Sequence, residues 1–280
     1  MRMQNETAII TGGTSGIGKQ ITAHFLAEGC KVAICGRNEQ TVNDTVAEFA
    51  EKYKDAITGF ACDVTDPDSV KDFVDSAASA LGSIRIAIPN AGVAGMYGPF
   101  DHIPYDELSA NESLVIGTIL MGTMNTVAAV LPYMIQQKYG RIITLSGGGA
   151  DRPLTHMTTY SAAKGGVVAF SKCLALELKM RLEDIKINIY APGMIRTGLT
   201  NHANVVPNWM DAETVRQQSD LALQYIGTDL ASSTSKVIFY ALPSCKVSGT
   251  IFRGFALGKL IRGAMKLQKI QKQMQRGPAP

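Results

Sequence analysis

The chain has 280 residues, 46% of them hydrophobic and 18% charged, which suits a globular protein with a sizeable core and excludes a largely disordered one. Its 27 glycines follow no short period, so a collagen-like helix is excluded. The net charge of +3 is uneven: residues 230–280 hold nine basic residues and no acidic one, leaving 18 basic against 24 acidic in the body, so overall charge gives no reason to expect nucleic-acid binding.

Apolar residues are not expected to run the ~18 positions that a spanning helix needs. The start, MRMQNETAII, does not read as a secretory signal. Cys30, Cys35, Cys62, Cys173 and Cys245 are an odd, scattered set without CxxC spacing. They read as buried thiols in a reducing, cytoplasmic compartment, with no metal or disulfide role.

In chain order, residues 7–11 (TAIIT) predict a buried strand and 16–29 a helix. A second strand is predicted at 31–35, a helix at 39–54 and a third strand at 59–63. Residues 66–81 predict a helix, with Asp66 or Asp68 near its start and Pro67 in its first turn. Strands follow at 84–88, 141–146, 185–191 and 250–253, and helices at 160–180 and in a long stretch ending near Lys138. Strands joined by crossover helices imply a single doubly wound parallel α/β sheet of about seven strands, with helices on both faces. Its ligand belongs beyond the strands' C-terminal ends.

The first predicted strand runs into Thr11-Gly12-Gly13-Thr14-Ser15-Gly16-Ile17-Gly18. Glycines at a strand–turn–helix junction let backbone approach a pyrophosphate, and the helix start supplies unpaired N–H groups. The second strand ends Cys35-Gly36-Arg37. An acidic residue there would hold a ribose hydroxyl, whereas an arginine can hold a 2′-phosphate; NADP(H) is therefore expected ahead of NAD(H). Asp63 could accept from an adenine amino group, with Val64 beside it. Tyr160 and Lys164 lie four apart on a predicted helix, hence on one face. A neighbouring ammonium lowers a phenol's pKa, and such a tyrosine could protonate an alkoxide.

TGGTSGIG at 11–18, CDV at 62–64, NAG at 90–92, YSAAK at 160–164 and APGMIRT at 191–197 together resemble the short-chain dehydrogenase/reductase family over roughly residues 5–255. The resemblance implies a Rossmann-type domain at 1–255 and hydride transfer between a nicotinamide cofactor and a carbonyl or alcohol. It implies Tyr160 as acid/base and Lys164 as the residue that binds the nicotinamide ribose and tunes the tyrosine. It also implies that Pro192, Gly193, Ile195 and Thr197 shape the nicotinamide pocket, and that Asn90, Ala91 and Gly92 line the adenosine side. A small-molecule substrate and a homodimer or homotetramer follow by the same analogy.

The chain departs from the family pattern at several points. The family's active-site serine falls at Gly147, with Ser146 just before it. Three following glycines could let the loop bring Ser146 to the substrate. The family's helix asparagine falls at Ile119, and Asn111 is too distant in sequence to replace it simply. Arg85 and Pro89 are further oddities. These departures motivate a second reading, a catalytically weak or inactive NADP-binding regulatory or scaffold homologue.

Residues 194–229 read as an apolar–polar cover over the substrate, with His156 in a bordering loop. Residues 256–280 read as a separate basic amphipathic tail. At 100° per residue, Leu257, Leu260, Ile261, Ala264 and Met265 form its apolar side, suited to an anionic membrane surface or a neighbouring subunit.

Overall fold

The computed structural model describes residues 1–148, 150, 154–198 and 204–275. Seven strands form one parallel sheet: β1 (Thr7–Thr11), β2 (Lys31–Gly36), β3 (Ile57–Ala61), β4 (Ile86–Ile88), β6 (Tyr139–Leu145), β7 (Asp184–Ala191) and β9 (Ile251–Arg253), in the order β3-β2-β1-β4-β6-β7-β9. The order reverses between β1 and β4, which opens a crevice at their C-terminal ends. Every residue of β1 is buried, as a central strand covered on both faces requires.

Alternation along the strands divides the core in two. Ile10, Ile34, Ile88 and Ile143 pack with Ile21 and Phe25 of helix α1 (Gly16–Ala27) and Phe49 of α2 (Glu39–Tyr53). Their neighbours Ile9, Ala33, Ala87 and Ile142 pack on the other face with Phe73 of α3 (Pro67–Leu81) and Val127 of α5 (Gly122–Gln136). Local signals set the helix starts. Asn38 accepts from Thr41 N at 2.8 Å, and Asp66 accepts from Asp68 N at 3.0 Å with Pro67 in the first turn.

Two expectations are corrected. The first concerns helix length. Helix α4 (Tyr105–Ile116) continues through a π-helical turn (Gly117–Met121) into α5. The whole Tyr105–Gln136 run has 32 residues and an 18-residue window of mean hydropathy 1.9, enough by length and composition to cross a membrane. Glycines and threonines interrupt the consecutive apolar count, so strict counting hides it. This helix packs against α3 and α6 (Thr158–Lys179).

Second, the cover contains a strand that periodicity does not reveal. β5 (Met96–Tyr97) pairs in parallel with β8 (Asn204–Val205) as a two-stranded ribbon outside the main sheet. The expected tail forms a helix. The C-terminal helix Leu257–Gln275 packs against the helix Ala212–Ile226. The contact runs through Gly263, where a β-carbon would stand 2.2 Å from Tyr225 O. Ile261 and Met265 of the expected apolar side are exposed; the side chains of Leu257 and Leu260 lie outside the described residues.

Far from the crevice, Arg141 is fully buried at the start of β6. It donates to Asp184 Oδ2 at 2.8 Å and to Asp184 O at 2.7 Å. Arg85 pairs with Glu6 at 2.8 Å, and the two guanidiniums lie 4.1 and 4.4 Å from the ring centre of Tyr139. Pro89 follows β4 immediately, so its missing N–H costs the sheet nothing.

Candidate active site

The glycine-rich turn connects β1 to α1. Gly12 has φ +63°, a left-handed conformation. A β-carbon on Gly18 would stand 2.2 Å from Gly12 O, so only glycine lets the helix begin this close to the strand. Thr14, Ser15, Gly16 and Ile17 lead into the helix start, whose free N–H groups and dipole favour an anion. Asn90 braces this turn from the β4 side. Its amide donates to Thr11 O at 2.9 Å and Gly12 O at 3.1 Å, while Thr11 Oγ1 accepts from the Asn90 and Ala91 N–H groups. The Asn90 side chain therefore holds the cradle together, and exposed Gly92 continues the wall.

The residues expected at a cofactor's adenosine end lie at the ends of β2 and β3. A β-carbon on Gly36 would stand 3.2 Å from Thr14 Cγ2, which crowds any side chain at the position where an acid would sit. Arg37 is exposed beside it. Asp63 Oδ1 accepts from Thr65 N at 2.9 Å and Thr65 Oγ1 at 2.8 Å. These bonds, with the charge of Arg37, hold its carboxyl below the usual range. Val64 is buried, and its carbonyl accepts from the Asn125 amide at 3.0 Å.

The loop after β7 forms the opposite wall. Gly193 has φ +95°, Pro192 O accepts from Ser233 Oγ at 2.7 Å, and Ile195 is buried. Thr197 meets the glycine turn: a β-carbon on Gly16 would be 3.4 Å from Thr197 Cγ2. Sequence motifs far apart in the chain thus meet around one crevice. The glycine cradle fits the pyrophosphate of a dinucleotide, and the corner at Gly36 and Arg37 fits its adenosine end.

Tyr160 and Lys164 stand on the first turns of α6, facing the end of β6. Lys164 Nζ donates to Leu145 O at 2.9 Å and lies 5.8 Å from the Tyr160 ring centre. Burial pushes Lys164 down to about 8 and Tyr160 up to about 12. The expected lowering of the phenol is thus overridden by desolvation in this arrangement. Ser146 is buried, and its N–H donates to Tyr190 O at 2.9 Å as an extension of the β6–β7 ladder. The position that faces the phenol is 147, where a β-carbon would stand 2.7 Å from the Tyr160 hydroxyl.

Ile119 is buried against Val115, Ala163 and Val167, with Tyr160 packed on the same cluster. Its carbonyl accepts from Thr123 Oγ1 at 2.6 Å. Asn111 is committed elsewhere: its Oδ1 accepts from Met96 N at 2.8 Å and anchors β5. An aromatic trio joins His156 of the bordering loop and Trp209 of the expected cover to Tyr97, which sequence reasoning did not single out. The ring centres of His156 and Trp209 are 4.5 Å apart, and Tyr97 lies 5.8 Å from His156 and 5.7 Å from Trp209. The three rings come from separate segments, strand β5, the loop before α6 and the turn after β8, so no local pattern joins them.

Comparison with known proteins agrees with this geometry. The family profile "short chain dehydrogenase" matches residues 6–206. The chain is 32% identical over 200 residues to the 3-oxoacyl-(acyl-carrier-protein) reductase FabG of Thermotoga maritima, covering 71% of this chain and 78% of that one. It is 36% identical over 177 residues to 2-dehydro-3-deoxy-L-rhamnonate dehydrogenase (NAD(+)) of a Sphingomonas strain, covering 63% and 68%. Among solved structures, levodione reductase superposes with a TM-score of 0.79 at 25% identity, covering 90% of this chain and 96% of that one. A Brucella melitensis 3-ketoacyl-(acyl-carrier-protein) reductase complexed with NADH shares the fold, with a TM-score of 0.76 at 22% identity and coverages of 90% and 97%. Sheet order, glycine cradle and sequence likeness converge, and this chain belongs to the short chain dehydrogenase family of nicotinamide-dependent oxidoreductases.

Proposed function

We propose that the protein is an NADP(H)-dependent reductase of a small carbonyl compound, with Tyr160 as proton donor. The observation that carries the reading is the Tyr160–Lys164 pair facing the crevice beside the glycine cradle. The preference for NADP(H) over NAD(H) rests on Gly36, crowded by Thr14, and on the exposed guanidinium of Arg37 next to it.

The bound cofactor supplies the hydride. Tyr160, kept protonated through neutral pH by its burial, donates to the oxyanion that develops on the substrate. Lys164, held by Leu145 O, keeps a positive charge near that oxygen's proton source. Gly147 adds no side chain of its own at the Tyr160 hydroxyl, and this is where the carbonyl oxygen is admitted. Ser146, fixed in the ladder, is at most a second contact. Tyr97, His156 and Trp209 exclude water above the site.

Reduced-cofactor oxidation over a panel of aldehydes and ketones tests the reading. Tyr160→Phe should lose about 10²–10⁴-fold in turnover while still binding NADPH. Tight NADPH binding with no turnover of any panel member by the wild type would favour a regulatory role instead.

The reading has a second part, contact of the C-terminal helix with an anionic membrane surface. In its support, Arg262, Lys266 and Lys269 are exposed beside Ile261 and Met265.

A further inference from the structure

The turn after β7 is the wall expected at the nicotinamide end of the cofactor. Its central residue, Gly193, has φ +95°, a left-handed conformation that favours a residue without a side chain, so Gly193 brings no anchor of its own. The groups that hold the turn come from the C-terminal part of the chain. Thr228 N donates to Met194 O at 2.7 Å, Ser233 Oγ to Pro192 O at 2.7 Å and Gly254 N to Ala191 O at 2.8 Å. The carbonyls on both sides of Gly193 are thus taken by donors from residues 228–254. Arg196 Nη1 pairs with Asp220 Oδ1 at 2.7 Å, a further tie to the helix Ala212–Ile226.

Two side chains wall in Gly193 itself. A β-carbon there would stand 2.6 Å from Thr228 Oγ1 and 3.0 Å from Phe255 Cδ1. Phe255 is half-buried, and the residue before it is tightly set. A β-carbon on Gly254 would stand 2.2 Å from Ser233 Oγ and 2.3 Å from the Tyr190 hydroxyl, and Lys236 Nζ donates to Gly254 O at 2.7 Å. The backbone that carries the Phe255 ring therefore has little room to shift.

Two residues beyond Phe255 the C-terminal helix Leu257–Gln275 begins. Its Gly263 lies against Tyr225 and Ile226, which directly precede Gly227 and Thr228. Gly227 in turn forms a parallel bridge with Met194 of the nicotinamide turn. Helix, ring and turn thus form one continuous packed block.

We propose that Phe255 is a positioning residue of the nicotinamide site: its ring holds Gly193, and with it the turn 192–197, in place for the nicotinamide, and the C-terminal helix docked at Gly263 holds the ring. Residues 256–280 are then a working part of the site rather than a separate tail. A misplacement of about 1 Å caused far from the chemistry can cost about 10²-fold in rate, so a support at this distance from the hydride matters. The nicotinamide role rests on the reading of a bound NADP(H); the packing link between ring and turn does not.

The test uses the full chain. Hydrogen–deuterium exchange read by mass spectrometry, without cofactor, reports on the turn directly. Phe255→Ala should speed exchange in residues 193–197 by about tenfold or more and leave the glycine turn 12–18 unchanged. Its affinity for NADPH should fall about fivefold or more. Affinity for 2′-phospho-ADP-ribose, the same cofactor without its nicotinamide ring, should hold. NADH and ADP-ribose serve in the same way if the wild type binds NADH alone. Phe255→Leu, which keeps an apolar contact, should recover most of both effects. Gly263→Leu, which forces the helix off Tyr225, should move both in the same direction with Phe255 intact, and circular dichroism confirms the fold of each variant. Unchanged exchange at 193–197 in Phe255→Ala, or an equal loss of affinity for both nucleotides, overturns the proposal. A Gly263→Leu turn that exchanges as in the wild type overturns the helix's share in it. If the wild type binds neither NADPH nor NADH, the cofactor reading fails and the nicotinamide role falls with it, while exchange still decides whether Phe255 holds the turn.

Discussion

Gly147 faces the Tyr160 hydroxyl so closely that a β-carbon at 147 would stand 2.7 Å from it. The Tyr160 ring packs on the Ile119 and Ala163 cluster and has little room to retreat. Gly147→Ser, which installs the residue expected from the family pattern, should therefore lower kcat by about tenfold or more, about 1.4 kcal/mol of barrier. Cofactor affinity should be unchanged. Ser146→Ala should alter kcat far less. Steady-state kinetics with parallel NADPH titrations checks both, and a faster Gly147→Ser enzyme would refute the argument.

The acid/base pair should leave its mark on pH dependence. Lys164 titrates near 8 in the fold against 10.5 ordinarily. Below about pH 8 both folded and unfolded chains carry the ammonium, and its burial cost is fully present. Between about 8 and 10.5 the unfolded chain binds more protons, so this group makes stability rise with pH. Tyr160 works oppositely. It keeps its proton to about 12 against 10.0 ordinarily, so its contribution falls as pH rises above 10. Lys164→Met should thus gain on the wild type most at pH 7, with the advantage shrinking by about 2 kcal/mol by pH 10. Denaturant melts at the two pH values measure it. Carbonyl reduction should decline above about pH 8 as the ammonium is lost.

Cofactor choice should turn on Arg37. Arg37→Ala should raise the NADPH dissociation constant by about tenfold or more, as expected for losing a charge-assisted phosphate contact. NADH affinity should hardly move. Calorimetric or fluorescence titration with both cofactors separates the two, and equal losses for both would contradict the 2′-phosphate role.

Restoring the asparagine at 119 should harm rather than help. Ile119 is fully buried in an apolar cluster. Ile119→Asn forfeits that packing and strands an amide, at a cost of about 2–4 kcal/mol. Chemical denaturation should show the loss, with no gain in kcat.

The C-terminal helix should bind anionic vesicles weakly. Co-sedimentation with phosphatidylserine-containing vesicles should exceed that with neutral ones and should fall with added salt. Met265→Asp combined with Lys266→Glu should abolish it. Equal sedimentation with neutral vesicles would contradict the charge argument.

What the sequence made legible was whatever a local pattern encodes. Buried runs such as Thr7–Thr11 and the spacing of Tyr160 and Lys164 identify strands and a helix face without tertiary knowledge. Strand limits were off by two residues at Ile57, because Ile57 and Thr58 read equally well as loop. The β5–β8 ribbon was hidden because two residues carry no periodicity. The phenol's upward shift was invisible too, since desolvation depends on what packs around Tyr160, whereas the opposing lysine is visible at four residues' distance. The tail's helix was legible but its buried side was not: Gly263, which a hydrophobicity plot ignores, makes the contact because it has no side chain.

Trp209 is the protein's only tryptophan, and it leans on His156 and on Tyr97 of β5. Any displacement of the turn that carries Trp209 parts these rings. The molecule therefore carries its own optical gauge: its indole emission comes from this ring cluster alone, so a change in its packing can be timed in the unlabelled protein by stopped-flow.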